Sequence, residues 1–76
     1  MSHAFTLRVS GIDISGNYED RLYEAGCSDA LVVVVDGQLY LDFDRQGPSF
    51  EAAVKSAQAD VERAGGHVEA VQAPPG

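Results

Sequence analysis

A chain of 76 residues with 45% apolar side chains is enough for one small domain and too apolar for a disordered segment. Twelve acidic against five basic side chains give a net charge of -7, a field that repels phosphate backbones and argues against direct nucleic-acid binding. A single cysteine, Cys27, excludes an internal disulfide and fits a reducing compartment. No stretch approaches the roughly 20 apolar residues of a membrane span, and no signal-peptide pattern opens the chain, so a soluble, cytoplasmic protein is expected.

Met1 to His3 are expected to be ragged. From Ala4 to Val9 the residues alternate, with Phe5, Leu7 and Val9 on one side and Ala4, Thr6 and Arg8 on the other, as in a half-buried strand. Ser10-Gly11 breaks it, and Ile12 and Ile14 are apolar anchors in the loop that follows. Asn17 suits an N-cap, with Asp20 three residues on, so a first helix is expected over Tyr18 to Ala25 with Tyr18, Leu22 and Ala25 inward. Gly26 is the expected terminator.

Residues 30 to 44 organise the chain. The apolar run Ala30 to Val35 and the alternating run Leu39 to Asp44 flank Asp36-Gly37, a strong signal for a two-residue hairpin turn. The turn sets Val35 opposite Gln38, Val34 opposite Leu39, Val33 opposite Tyr40, Val32 opposite Leu41 and Leu31 opposite Asp42. One face then carries Ala30, Val32, Val34, Leu39, Leu41 and Phe43, and reads as core. The other carries Leu31, Val33, Val35, Gln38, Tyr40, Asp42 and Asp44, half apolar and half acidic.

Arg45-Gln46-Gly47-Pro48 is expected to stop this strand. Ser49 can cap a second helix over Phe50 to Ala64, whose apolar positions Phe50, Ala53, Val54, Ala57, Val61 and Ala64 fall at helical spacing. Glu51, Lys55, Glu62 and Arg63 form its outer side. Gly65-Gly66 ends it, His67 to Val71 reads as a last strand, and residues 74 to 76 are a tail after a single domain over 1 to 73. The order β-α-β-β-α-β predicts an α+β, ferredoxin-like sandwich: a four-stranded antiparallel sheet, order 4-1-3-2, with both helices on one face.

That fold hosts many functions, so the side chains must discriminate among them. A metal-carrying version needs paired cysteines in the first loop, and Gly11-Ile12-Asp13-Ile14 has none. An RNA-binding version needs several aromatics among basic residues on the open face, where Tyr40 stands beside Asp42 and Asp44. A cation site from Asp42 and Asp44 with Asp29 or Asp36 competes with an ordinary pairing of Arg8 to one of the carboxylates. Cys27 follows a helix C-terminus, which disfavours a thiolate, and reads as a packing residue. His3 and His67 lack a nucleophile at recognisable spacing. No catalytic residue, metal or cofactor is therefore expected.

The open face remains. Leu31, Val33, Val35 and Tyr40, bordered by Thr6, Arg8, Asp42 and Asp44, suit binding to a protein partner, either a second copy in a homodimer or a basic toxin or effector. If the Val-rich strand lies at the sheet edge, its free backbone invites pairing as well. The alternative is a small-ligand sensor of the amino-acid-binding kind, with Gly11, Asp13 and Asn17 at the first loop of a dimer.

The stretches YEAGCSDALVVVVDGQLYLDFDR and SFEAAVKSAQADVERAG resemble the N-terminal domain of small bacterial helix-turn-helix regulators, some of them antitoxin-like. Such proteins have a similar glycine-cysteine turn, an LDFDR strand and a comparable helix ahead of the helix-turn-helix. The resemblance covers about residues 20 to 65 and implies a regulatory, partner-binding module. No helix-turn-helix follows before Gly76, so it does not imply DNA contact; a shortened form or a stand-alone module is expected.

Overall fold

The computed structural model describes residues 2–73. Its elements run β1 (Ser2–Ser10), α1 (Tyr18–Glu24), β2 (Ala30–Val35), β3 (Gln38–Gln46), α2 (Phe50–Arg63) and β4 (His67–Gln72). The hairpin forms in the expected register, from Val35 opposite Gln38 to Leu31 opposite Asp42, with Ala30 opposite Phe43. Asp36 and Gly37 both take positive φ, 51° and 76°, the requirement of a tight turn whose twist matches the flanking strands.

Strand β1 then pairs antiparallel with the outer side of β3, and β4 with the far side of β1. The sheet order is β2-β3-β1-β4, the ferredoxin-like arrangement expected, with β2 and β4 at the edges. A register shift between Arg8 and Val9 interrupts the β1–β4 ladder.

The core lies between one face of this sheet and the helices. Phe5, Leu7, Val9, Leu39, Leu41 and Phe43 form one cluster with Leu22 of α1 and Ala53, Val54, Ala57 and Val61 of α2. Phe5 stacks on Phe43 with ring centroids 5.3 Å apart, and Phe50 meets Phe5 edge-on at 5.8 Å. Ser49 caps α2 as expected, its hydroxyl accepting from the Ala52 N–H at 3.1 Å.

Several boundaries differ from the pattern-based expectation. β1 begins at Ser2 rather than Ala4, because His3 is drawn into the ladder opposite Arg45. Its ring Nε2 donates to the Gly47 carbonyl at 3.2 Å and stands edge-on to Phe50. β3 does not stop at Arg45 but continues to Gln46. Asn17 makes no side-chain cap bond, since its backbone (φ -87°, ψ 49°) is not in the extended conformation usual for that role. The expected tail, residues 74 to 76, lies outside the described residues.

Coverage of the sheet is uneven. α2, fourteen residues long, buries a full stripe, whereas α1 is seven residues long and Leu22 is its buried residue. Tyr18 and Ala25, expected inward with Leu22, are only partly buried. β2 lies beneath this short helix, and Val34, expected in the core, is 41% exposed, while Ala30 and Val32 are half-buried.

A Cβ at Gly37 would meet no atom within 4 Å, so a substitution there tests the backbone conformation alone. Gly37→Val forces a β-branched residue to positive φ and should cost about 1 kcal/mol or more. In a domain of this size that lowers the melting temperature by roughly 4–8 °C per kcal/mol, measurable by circular dichroism.

Candidate functional site

The helices leave the other face of the sheet open, and the strand registers lay out its contents in rows. Val33 lies beside Tyr40, then Arg8, then Ala70. Leu31 lies beside Asp42, then Thr6, then Gln72. Val35 and Asp44 occupy the outer positions of the hairpin, Asp44 opposite Ala4. Leu31, Val33, Val35, Tyr40, Arg8, Asp42 and Asp44 thus share one face, apolar along β2 and increasingly polar toward β1.

Burial divides these residues further. Leu31 is 66% exposed and Val35 51%, large values for aliphatic side chains, while Val33 and Tyr40 are half-buried. Asp42 and Asp44 are exposed. Because Val34 on the opposite face is exposed too, β2 presents apolar surface on both sides. Among the described residues no strand pairs with its outer edge.

The expected pairing of Arg8 with Asp42 or Asp44 does not form. The register sets Arg8 opposite Tyr40 and puts Thr6 opposite Asp42, so the Thr6 hydroxyl donates to Asp42 Oδ1 at 2.5 Å instead. At the other edge, the Ser10 hydroxyl donates to Glu69 Oε1 at 2.6 Å. Among the described residues no three His, Cys, Asp or Glu side chains gather as metal ligands would.

The first loop holds the three residues of the sensor alternative. Gly11 takes a positive φ of 81°, with the Gly65 carbonyl 3.4 Å from where its Cβ would lie. Asp13 turns back on its own loop: Oδ1 accepts from both the Ser15 N–H (2.9 Å) and the Ser15 hydroxyl (2.6 Å). Those bonds lower the Asp13 pKa below its ordinary value. Asn17 is exposed. A hollow of about 220 Å³ lies elsewhere, between α1 and β2, lined by residues that include Asp20, Leu22, Tyr23, Cys27 and Val32.

One cluster went unforeseen. Arg45 is 9% exposed, and its side chain enters the space where β3, α2 and the turn after α1 converge. All five guanidinium N–H groups have partners. Nε and one NH2 nitrogen form a fork on Asp29, at 2.8 and 2.9 Å. The same nitrogen also donates to the Gly26 carbonyl at 2.7 Å. The other nitrogen donates to Ser56 Oγ at 3.0 Å and Asp60 Oδ2 at 2.8 Å. Arg63 pairs with the second oxygen of Asp60 and donates to the Ala25 carbonyl. The Phe43 ring lies 4.9 Å from the Arg45 guanidinium carbon.

Gly26 makes room for this cluster. Its φ is +112°, and a Cβ there would stand 2.8 Å from Asp60 Oδ2. Cys27, next in sequence, is buried in the core, and that burial raises its thiol pKa. The hydrogen bonds from Arg45 lower the Asp29 pKa. A signal for the cluster was present in the sequence: Arg45 continues the inward parity of Leu39, Leu41 and Phe43, and Asp60 continues the stripe Ala53, Ala57. Comparisons with protein-family models, curated proteins and solved structures match nothing to this chain.

Arg45→Met strips Asp29 and the buried Asp60 of their shared cation and should cost about 3–5 kcal/mol. That is a large part of the roughly 4–11 kcal/mol expected for a domain of this size, so urea denaturation should find much of the variant unfolded. Arg45→Lys should recover only part of the loss, because an ammonium has three donors and no fork.

The Asp29 pKa is lowered on folding, so its stabilisation is fully present above the ordinary value near 3.8 and is lost as pH falls through the lowered one. Asp29→Asn should therefore melt lower than the wild type at neutral pH and show a shallower decline in melting temperature under acid.

Proposed function

We propose that this domain is a non-enzymatic protein-interaction and dimerisation module that binds through the open sheet face and the β2 edge. The observation carrying it is the exposure of β2 on both faces together with an outer edge that no strand pairs among the described residues. Exposed aliphatic surface of this kind is a liability for a free chain and an asset for one that binds another. Tyr40, half-buried beside Val33, supplies an amphipathic anchor, and Asp42, Asp44 and Arg8 form the polar surround.

The role we assign is regulatory, antitoxin-like, in a reducing cytoplasm. The likeness of residues 20 to 65 to the partner-binding half of small bacterial regulators supports it. So does the net charge of -7, which disfavours direct contact with nucleic acid. Among the described residues no helix is long and apolar enough to cross a membrane.

Val33→Lys places a charge at the centre of the β2 face while leaving the core side untouched. The tagged wild type, purified from its native cell, should elute as a complex of two or more chains, and Val33→Lys should release them while keeping its melting transition. A wild type that elutes as a free monomer overturns the module. A rise in melting temperature with one member of an amino-acid panel would favour the sensor alternative at Gly11, Asp13 and Asn17.

A further inference from the structure

Resting on that interaction module, we infer that the partner of β2 is a second copy of this chain, paired antiparallel in one register with Val33 on the twofold axis. The backbone shows which groups are free. In the Asp36-Gly37 turn the Val35 carbonyl and the Gln38 N–H form the closing bond, and bonded and non-bonded pairs alternate from there. Leu31, Val33 and Val35 therefore spend their backbone groups on β3. Val32 and Val34 direct theirs outward.

Two bonds at the start of the strand agree with this phase. The Asp29 carbonyl accepts from the Asp44 N–H at 3.2 Å, continuing the odd-numbered pattern. The Ala30 N–H is turned away from β3 and donates to the Cys27 carbonyl, also at 3.2 Å. Among the described residues the free edge is then the N–H and C=O of Val32 and of Val34, together with the carbonyl of Ala30.

A twofold axis normal to the sheet makes the Val32 and Val34 groups self-complementary. With Val33 opposite Val33 of the second copy, Val32 faces Val34 of that copy and exchanges both bonds with it. The symmetry repeats the exchange, giving four inter-chain hydrogen bonds. Slipping by one residue brings up groups already bonded to β3. Slipping by two toward Ala30 leaves the Val34 carbonyl without a donor, because the Ala30 N–H is spent on Cys27, and sets Val35 against Asp29; slipping the other way sets Val32 against Asp36 in the turn.

The side chains favour the same register. On the open face Leu31 meets Val35 of the second copy and Val33 meets itself. On the core face the exposed Val34 meets Val32. The sequence around Val33 is thus matched to its own reverse, aliphatic against aliphatic on both faces.

The edge itself offers a basic chain no charge to pair with. β2 has no ionisable side chain, and Asp29 at its start is already held by Arg45. Asp36 at its end would lie opposite Ala30. The other edge differs: β4 carries Glu69 and the register shift, both features that discourage pairing. A six-residue strand is about 20 Å long, so the contact should stay below about 1,200 Å² in total, the size of a reversible interface.

Disulfide trapping reads the register in the 76-residue chain carrying Cys27→Ala. Across the axis the Val33 pair is non-bonded, with Cα atoms about 4.5 Å apart, within reach of a disulfide. Val33→Cys should become mostly covalent dimer under mild oxidation, while Val32→Cys, more than about 7 Å from its own copy, should give several-fold less. In sedimentation the wild type should associate reversibly, and more tightly as salt rises, because both copies are acidic. Val34→Pro removes an outward N–H and should weaken the dimer at least tenfold while still folding. Val33→Pro, which removes a β2–β3 bond, should fail to fold and confirms the phase.

Equal trapping at positions 32 and 33, or a dimer untouched by Val34→Pro, overturns this register. A monomer at all concentrations overturns the homodimer. If Val33→Lys nonetheless releases a different bound chain in the native-cell purification, the interaction module stands without it. If no chain is bound there either, both fall.

Discussion

Between the sheet and its helices, where apolar packing would be expected, Arg45 brings a full charge into the protein and is answered at every donor. Its fork on Asp29, its bonds to Ser56 and Asp60 and its bond to the Gly26 carbonyl tie β3, α2 and the turn after α1 to one planar group. A buried cation costs several kcal/mol in lost hydration, and only a complete set of partners offsets it. The arrangement therefore specifies geometry more than it adds stability. Gly26 takes its left-handed conformation against the Asp60 carboxylate, and Asp29 is fixed directly before β2. The strand enters the sheet at a defined residue.

That fixed entry governs the surface. Since Asp29 is held and the Asp36-Gly37 turn closes the far end, β2 has little freedom to slip, and its free groups keep one phase. Above it stands α1, too short to cover it. Among the described residues no strand runs along its outer edge. The other side of the molecule is finished differently: α2 packs a stripe of small and branched residues on the sheet, and β4 closes the edge with a polar residue and an irregular ladder. Stability is concentrated around β1, β3 and α2, while β2 is left available.

Charge and apolar surface are kept apart. The acidic groups of the open face lie on β3 beside β1's polar residues, where Thr6 engages Asp42, and not on β2 itself. An apolar strip beside a polar, acidic field resembles the division between centre and rim seen in protein interfaces. The net charge of -7 then keeps chains apart except where aliphatic contact and backbone bonds outweigh the repulsion.

The sequence by itself determined the element order, the hairpin register and the composition of the open face. Each follows from local rules: period-two and helical spacing, a turn dipeptide that admits positive φ, and the fixed alternation of side chains along a strand. Local rules failed where contacts are distant. His3 belongs to β1 because Gly47 and Phe50 receive its ring, which no pattern in residues 1 to 4 foretells. Val34 has the parity of a core residue, but its exposure depends on how far a seven-residue helix reaches across the sheet. Arg45 continues the inward parity of Leu41 and Phe43, but the sequence pattern ended the strand there, and parity alone does not say whether a charge finds partners in a core. Its partners come from residues 26, 29, 56 and 60, and only the tertiary fold brings those groups within hydrogen-bonding distance, which decides whether a charge can be buried at all.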